Sequence, residues 1–287
     1  MRILEYSECA DKAHWLSEIK KSDWKAGKYL AELLGGANVA AAEGAGVVAP
    51  AAENADASCE FYRLCGTRSK LFLITEGDAL VSFCSFTEKD DIPDTELSPW
   101  IGFVYTFPQY RGKRRMGVLF THVFRLAKSQ GVKAVYISTH DEGLYEKYGF
   151  SYFSTMKDVM GEDSRIYKLT FEDKDYSGII GKTVSGKIDR PLGSRHPRHP
   201  EMIYPLNYGY VDGVFAGDGA EQDVYLLGET KPVLEYTGKV IAVYHRLNDV
   251  EDKWVVAADG TEKDFSDDEI LDEIAFQEQY FVGELYR

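Results

Sequence analysis

The chain has 287 residues, 44% hydrophobic and 13% aromatic, with a formal net charge of −14. No apolar run reaches the roughly 20 residues of a membrane-spanning helix, and so acidic a chain is repelled by phosphate backbones. Neither a membrane nor a nucleic-acid partner is therefore expected. Two domains are the prior at this length. Residues 1–172 carry 21 basic and 24 acidic side chains, residues 173–287 carry 12 and 23. That step places a boundary near residue 173, with units at 1–172 and 178–287 and a linker at 173–177. Cys9, Cys59, Cys65 and Cys84 show no CxxC spacing, and the charged N-terminus has no signal-peptide stretch. Free thiols and a cytoplasmic location are the expectation.

In chain order, RILEY predicts an opening strand. ADKAHWLSEIKKS and DWKAGKYLAELL then repeat apolar residues at helical spacing. Residues 36–58 are rich in Ala and Gly and read as a mobile insertion. KLFLITEG and DALVSFCSF predict a hairpin through Gly77-Asp78, and WIGFVYTF a strand closed by Pro108. VLFTHVFRLAKSQG is a helix ending at Gly131, KAVYIST a strand, GLYEKYGF a short helix and turn, and RIYKLTF a strand. Beyond the boundary come GIIGKTVSGKIDR, turn-rich IYPLNYGYVDG, the strands VYLLG, VIAVYH and KWVVAAD, and an acidic-started helix, SDDEILDEIAFQEQYF. The fold class is α/β (α+β): a mixed central sheet with flanking helices, then a small β-barrel-like unit with a terminal helix.

Two constellations carry chemistry. In the first, a basic turn, Arg111-Gly112-Lys113-Arg114-Arg115-Met116-Gly117, joins a strand to a helix, where unpaired backbone N–H groups suit a pyrophosphate. With LYEKYGF at 144–150, this resembles the GCN5-related N-acetyltransferase family over residues 1 to about 172. Arg114 and Met116 stand where that family has small residues. The resemblance implies a GNAT fold that grips acetyl-CoA at this turn and along the backbone of Val104, Tyr105 and Thr106. It also makes Tyr145 the general acid, with Tyr148 as an alternative. Glu88, Asp90, Asp91 and His140 are open between a role at the acceptor amine and solvated or structural positions.

The second constellation is AGDGAEQD at 216–223, followed by VEDKW. Residues 186–255, through KIDR, IYPLNYGYV, GDGAEQDVYLLG and VEDKWVVAA, resemble the family I soluble inorganic pyrophosphatases, implying a pyrophosphatase-like, OB-type barrel. The resemblance makes Asp218, Asp223, Asp252 and Asp249 magnesium ligands, and neighbouring Glu221 is added to that set. It makes Lys187, Arg195, Tyr208, Lys253 and Tyr280 phosphate ligands. Ala220 replaces that family's proton acceptor, so weak or absent hydrolysis is expected, with Glu221 the one nearby substitute.

Together these predict an acetyl-CoA-dependent N-acetyltransferase acting on a small-molecule or peptide amine. Its second unit would bind Mg²⁺ and a diphosphate-bearing ligand. Two alternatives stay open for that unit, an active pyrophosphatase using Glu221 and a non-catalytic interaction or dimerisation module; a homodimer is one assembly considered.

Overall fold

KLFLITE and ALVSFCSFT are apolar at successive rather than alternate positions, the pattern of strands covered on both faces. A computed structural model describes residues 1–35 and 59–287 and places them so. The Ala/Gly-rich segment at 36–58 lies outside the described residues. Contacts divide the chain into two compact units, residues 1–146 with 150–171 and residues 147–149 with 172–287.

The first unit contains β1 (Arg2–Glu5), α1 (Lys12–Lys20), α2 (Lys25–Gly35), α3 (Glu60–Cys65), β2 (Lys70–Glu76) and β3 (Ala79–Thr87). It continues with β4 (Trp100–Thr106), α4 (Arg115–Ser129), β5 (Ala134–Thr139), a 3-10 turn (Tyr145–Tyr148), β6 (Ser151–Lys157) and β7 (Asp163–Thr170). The sheet order is β1-β2-β3-β4-β5-β7-β6. Side chains of β2 alternate between its faces. Leu71 and Leu73 join Ile19, Leu30 and Phe61 of the first three helices. Phe72 meets His122 of α4 on the other face, with ring centroids 4.8 Å apart. β6, at the sheet edge, was not expected from sequence.

The second unit holds β8 (Thr183–Arg190), β9 (Asn207–Phe215), β10 (Glu221–Leu227), β11 (Glu235–Arg246), β12 (Lys253–Ala258), α5 (Asp267–Glu278) and β13 (Gly283–Tyr286). Pairings run β12-β10-β9-β8-β11 and return from β11 to β12, closing a five-stranded barrel to which β13 is appended. Only β10 and β12 are parallel among these pairs. One cluster draws on all five barrel strands through Ile188, Val211, Val224, Val240 and Trp254. Alternate residues Tyr225, Ala242 and Val255 pack with Ile270 and Ile274 of α5 in a second cluster. Ser266 and Glu269 form a reciprocal capping box at the start of α5. The expected linker at 173–177 is tied down, because Tyr176 donates to Asp252 at 2.6 Å.

Asn, Gly and Asp give β9 the composition of a turn, yet Gly209 is what lets it pair closely with β8. A Cβ at Gly209 would lie 1.9 Å from the Lys187 carbonyl oxygen of β8, and one at Gly186 would lie 1.9 Å from that of Tyr210. Neither backbone can retreat without breaking the ladder. Gly209→Ala is expected to cost about 3 kcal/mol or more, at the upper end of overpacking penalties. A urea-unfolding midpoint unchanged from wild type would contradict this close approach.

Candidate functional site

Several buried or half-buried carboxylates of the second unit are engaged with its own cations. Lys253, 2% exposed, donates to Asp223 and lies 2.6 Å from Glu251. Tyr208 also donates to Asp223. Arg246 holds Glu278 at 2.6 Å and Asp249 at 3.0 Å. Asp252 receives Tyr176 and meets His245 Nδ1 at 2.6 Å. Burial and the hydrogen bond shared with Asp223 push Glu251 up to about 7. Asp223 moves down despite its burial, chiefly because of Lys253.

Among the described residues, the expected magnesium ligands do not form a group whose ligand atoms converge. Asp218 is exposed and caps its own turn, accepting from the Ala220 N–H at 2.9 Å. Glu221 is exposed at the start of β10, and Asp223, Asp249 and Asp252 each serve a different partner. Mg²⁺ needs converging oxygens free of competing cations; these residues do not fit it. Of the expected phosphate ligands, Tyr208 and Lys253 meet at Asp223. Lys187 is exposed, Arg195 donates to the Pro200 carbonyl at 2.7 Å, and Tyr280 is 40% exposed. Arg246 and Glu251 were missed, since nothing local in sequence signals their pairing. Among the described residues, His140, Asp158 and Glu162 form the one group whose ligand atoms lie within 4.8 Å of one another. There Asp158 accepts from the N–H groups of Met160 and Glu162, closing the β6–β7 turn.

In the first unit the decisive feature is a bulge in β4. Phe83 pairs with Tyr105 but Ser85 with Gly102, so β4 carries one extra residue, and Phe103 adopts φ 46°. The parallel pairing of β4 with β5 is confined to Trp100 and Tyr136, after which the strands diverge. Val104 and Tyr105 thus border a cleft of about 740 Å³ whose wall also includes Asp90, Arg111 and Tyr145, and Thr106 ends the strand next to it.

The basic turn follows directly. Gly112 has φ 78°, and Arg114, the N-cap of α4, has φ 51°, the left-handed region that favours glycine. The conformation expected of a small residue is kept although the residue is large. Arg111 donates to the Thr106 carbonyl at 2.9 Å and lies over the Tyr105 ring. Arg115 turns away, binding Glu76 at 2.9 Å, so its guanidinium is not offered at the turn. Lys113 is exposed, Met116 is half-buried, and Gly117 is buried with its N–H on the Arg114 carbonyl. Tyr145 is 7% exposed, packed near Phe120, Phe150 and Tyr167.

The acidic candidates separate. Glu88 makes a two-nitrogen contact with Arg68 outside this cleft. Asp90 is half-buried in the cleft wall, and burial, with Asp91 adding, pushes its carboxyl up to about 7. His140 lines the same cleft.

Residues 42–150 match the Acetyltransferase (GNAT) family. That GNAT match spans Asp90, the open edge of β4, the basic turn and Tyr145. Among solved structures, an aminoglycoside 6'-acetyltransferase type Ii is 14% identical, with 61% of this chain and 100% of that one covered at a TM-score of 0.41. ElaA of Escherichia coli is 14% identical, with 58% and 97% covered at 0.36. A GNAT family acetyltransferase from Elizabethkingia anophelis, with acetyl-CoA bound, is 17% identical, with 37% and 78% covered at 0.31. No curated protein matches the chain. No helix among the described residues is long and apolar enough to cross a membrane.

The Asp90 shift has a consequence for stability. A carboxyl raised in the folded state disfavours folding once it must ionise, so stability falls as pH rises from the ordinary carboxylate range through about 7. Asp90→Asn is expected to raise Tm over wild type at pH 8 and leave it unchanged at pH 4. An equal Tm change at both pH values would contradict the assignment.

Proposed function

We propose that the first unit transfers an acetyl group from acetyl-CoA to an amine. The observation that carries this is the diverging β4–β5 pair with a left-handed basic turn at the start of α4, inside the segment matching the GNAT family. The backbone of Val104, Tyr105 and Thr106 would hold the pantetheine arm as an added strand. The turn at 111–117 would take the pyrophosphate through backbone N–H groups, aided by Arg111, Lys113 and Arg114. Bound acetyl-CoA supplies the activated acetyl thioester.

Asp90 takes one proton from the incoming ammonium, and Tyr145 hands its own to the departing sulfur. One amide bond forms for one thioester broken. Of the two protons the ammonium sheds, one leaves to solvent by way of Asp90, and the other restores Tyr145. Acetyl-CoA at 100 times its Kd is expected to stabilise the full chain by about 2.7 kcal/mol. Tyr145→Phe should lower kcat by roughly 10²- to 10⁴-fold while keeping that stabilisation. No Tm shift at saturating acetyl-CoA would end the transferase reading; an unchanged kcat would end the role of Tyr145.

For the barrel we infer a non-catalytic unit, in preference to the pyrophosphatase-like, magnesium- and diphosphate-binding reading. Support comes from Lys253, Arg246 and His245, which occupy the carboxylates that a metal would need. Phosphate release from pyrophosphate with Mg²⁺ is expected at background. Turnover abolished by Glu221→Gln would restore the catalytic alternative.

A further inference from the structure

His140, Asp158 and Glu162 meet at one end of the first sheet. β7 lies between β5 and β6, with Thr139 opposite Arg165 and Lys157 opposite Asp163. His140, the residue after β5, therefore reaches the turn at 158–162 that joins β6 to β7. One ligand atom from each of the three residues lies within 4.8 Å of the other two.

Asp158 is the fixed member. It is 8% exposed, and its Oδ1 accepts the N–H groups of Met160 at 2.8 Å and Glu162 at 2.9 Å. The Asp158 N–H returns a bond to the Glu162 carbonyl at 2.9 Å. Among the described residues no hydrogen bond reaches the second oxygen, Oδ2, which points to His140 Nε2 at 3.8 Å. A buried carboxylate oxygen without a donor is costly, and the turn backbone holds it in place.

A separation of 3.8 Å is too long for a hydrogen bond. It is close to the about 3.3 Å between two ligands of a tetrahedral ion with bonds of roughly 2.0 Å. The His140 side chain is 62% exposed and Glu162 is exposed, so both can turn inward by that difference. Neighbouring cations are engaged elsewhere. Lys157 pairs with Asp163 at 2.8 Å and Arg165 with Glu142 at 3.3 Å, rather than with Asp158 or Glu162. Here the barrel's objection to a metal, acids already held by lysine and arginine, does not apply. One imidazole with two carboxylates suits zinc and its first-row neighbours, whereas Mg²⁺ and Ca²⁺ prefer oxygen alone.

We propose that His140 Nε2, Asp158 Oδ2 and one oxygen of Glu162 bind a single divalent cation of the zinc type. Three protein ligands leave its fourth position to water. The ion ties the end of β5 to the β6–β7 turn. In that turn the Val159 N–H bonds the Asp91 carbonyl at 2.8 Å, so the ion also steadies the segment carrying Asp90 and Asp91 in the cleft wall. The site goes beyond the transferase reading and does not rest on it.

The test is calorimetric titration of the chelator-treated full chain with zinc chloride at neutral pH, with Tm read alongside. One equivalent is expected to bind and to raise Tm. His140→Ala and Glu162→Gln should each weaken that equivalent at least about tenfold, since losing even a supporting partner of a metal ligand costs that much. Asp158→Asn should weaken it equally while the turn survives, because the amide oxygen still accepts both N–H groups. His196→Ala with His199→Ala, in the other unit, should leave binding unchanged. Absence of zinc binding would overturn the proposal. So would affinity undiminished in any of the three ligand variants, or lost with His196 and His199.

Discussion

The first unit depends on one extra residue in β4. Parallel strands that begin to pair would ordinarily continue, since each unpaired backbone group beside a buried sheet is costly. The bulge at Phe103 stops this after Trp100 and leaves a strand edge inside the fold rather than at its margin. Left-handed backbone costs a non-glycine residue roughly 1–2 kcal/mol. Phe103 and Arg114 both adopt it, one at the opening of the cleft and the other at the turn beside it. Strain in the cleft wall and in the turn next to it is held in place by the surrounding sheet and α4.

The second unit resolves its charges in the opposite way. Where the cleft wall turns Asp90 Oδ2 toward the bare backbone of Gly102, the barrel encloses Lys253 and Arg246 with acids. Burying ions is expensive, and removing one partner of a buried pair typically costs about 3–5 kcal/mol because the other is stranded. Recruiting such acids to a metal would carry that penalty. The two acid clusters therefore differ in chemical availability although both look alike as strings of Asp and Glu.

Much of the first unit was legible. The continuous apolar runs of β2 and β3, the helical spacing of α4 and the Gly-bearing turn are local patterns, and local patterns survive folding when burial agrees with them. β6 was not, because SYFSTMK lies at the sheet edge with Tyr152 and Phe153 both about half exposed, so no alternation marks it. β9 was hidden by glycines that serve close strand approach rather than turning. Tyr145 and Arg111 of the turn, both named from sequence, line the cleft, whereas Glu88, Asp90 and Asp91 could not be told apart. Their difference comes from Arg68 twenty residues away and from the bare backbone of Gly102. Asp218 and Asp223 part for a related reason. The pyrophosphatase resemblance implied shared ligands, whereas a tight turn and a lysine thirty residues on give them separate partners.

The two clusters of the barrel limit how that unit can change. Tyr225 and Leu227 face α5 while Val224 and Leu226 face the five-strand cluster, so β10 has no uncommitted side over these residues. β11 and β12 are divided in the same way, by Ala242 against Val243 and by Val255 against Val256. New recognition cannot be written on such strands without repacking a core. Variation is left to the connections, such as the turn at 216–220, which can lengthen or change charge while the wall behind it stays constant.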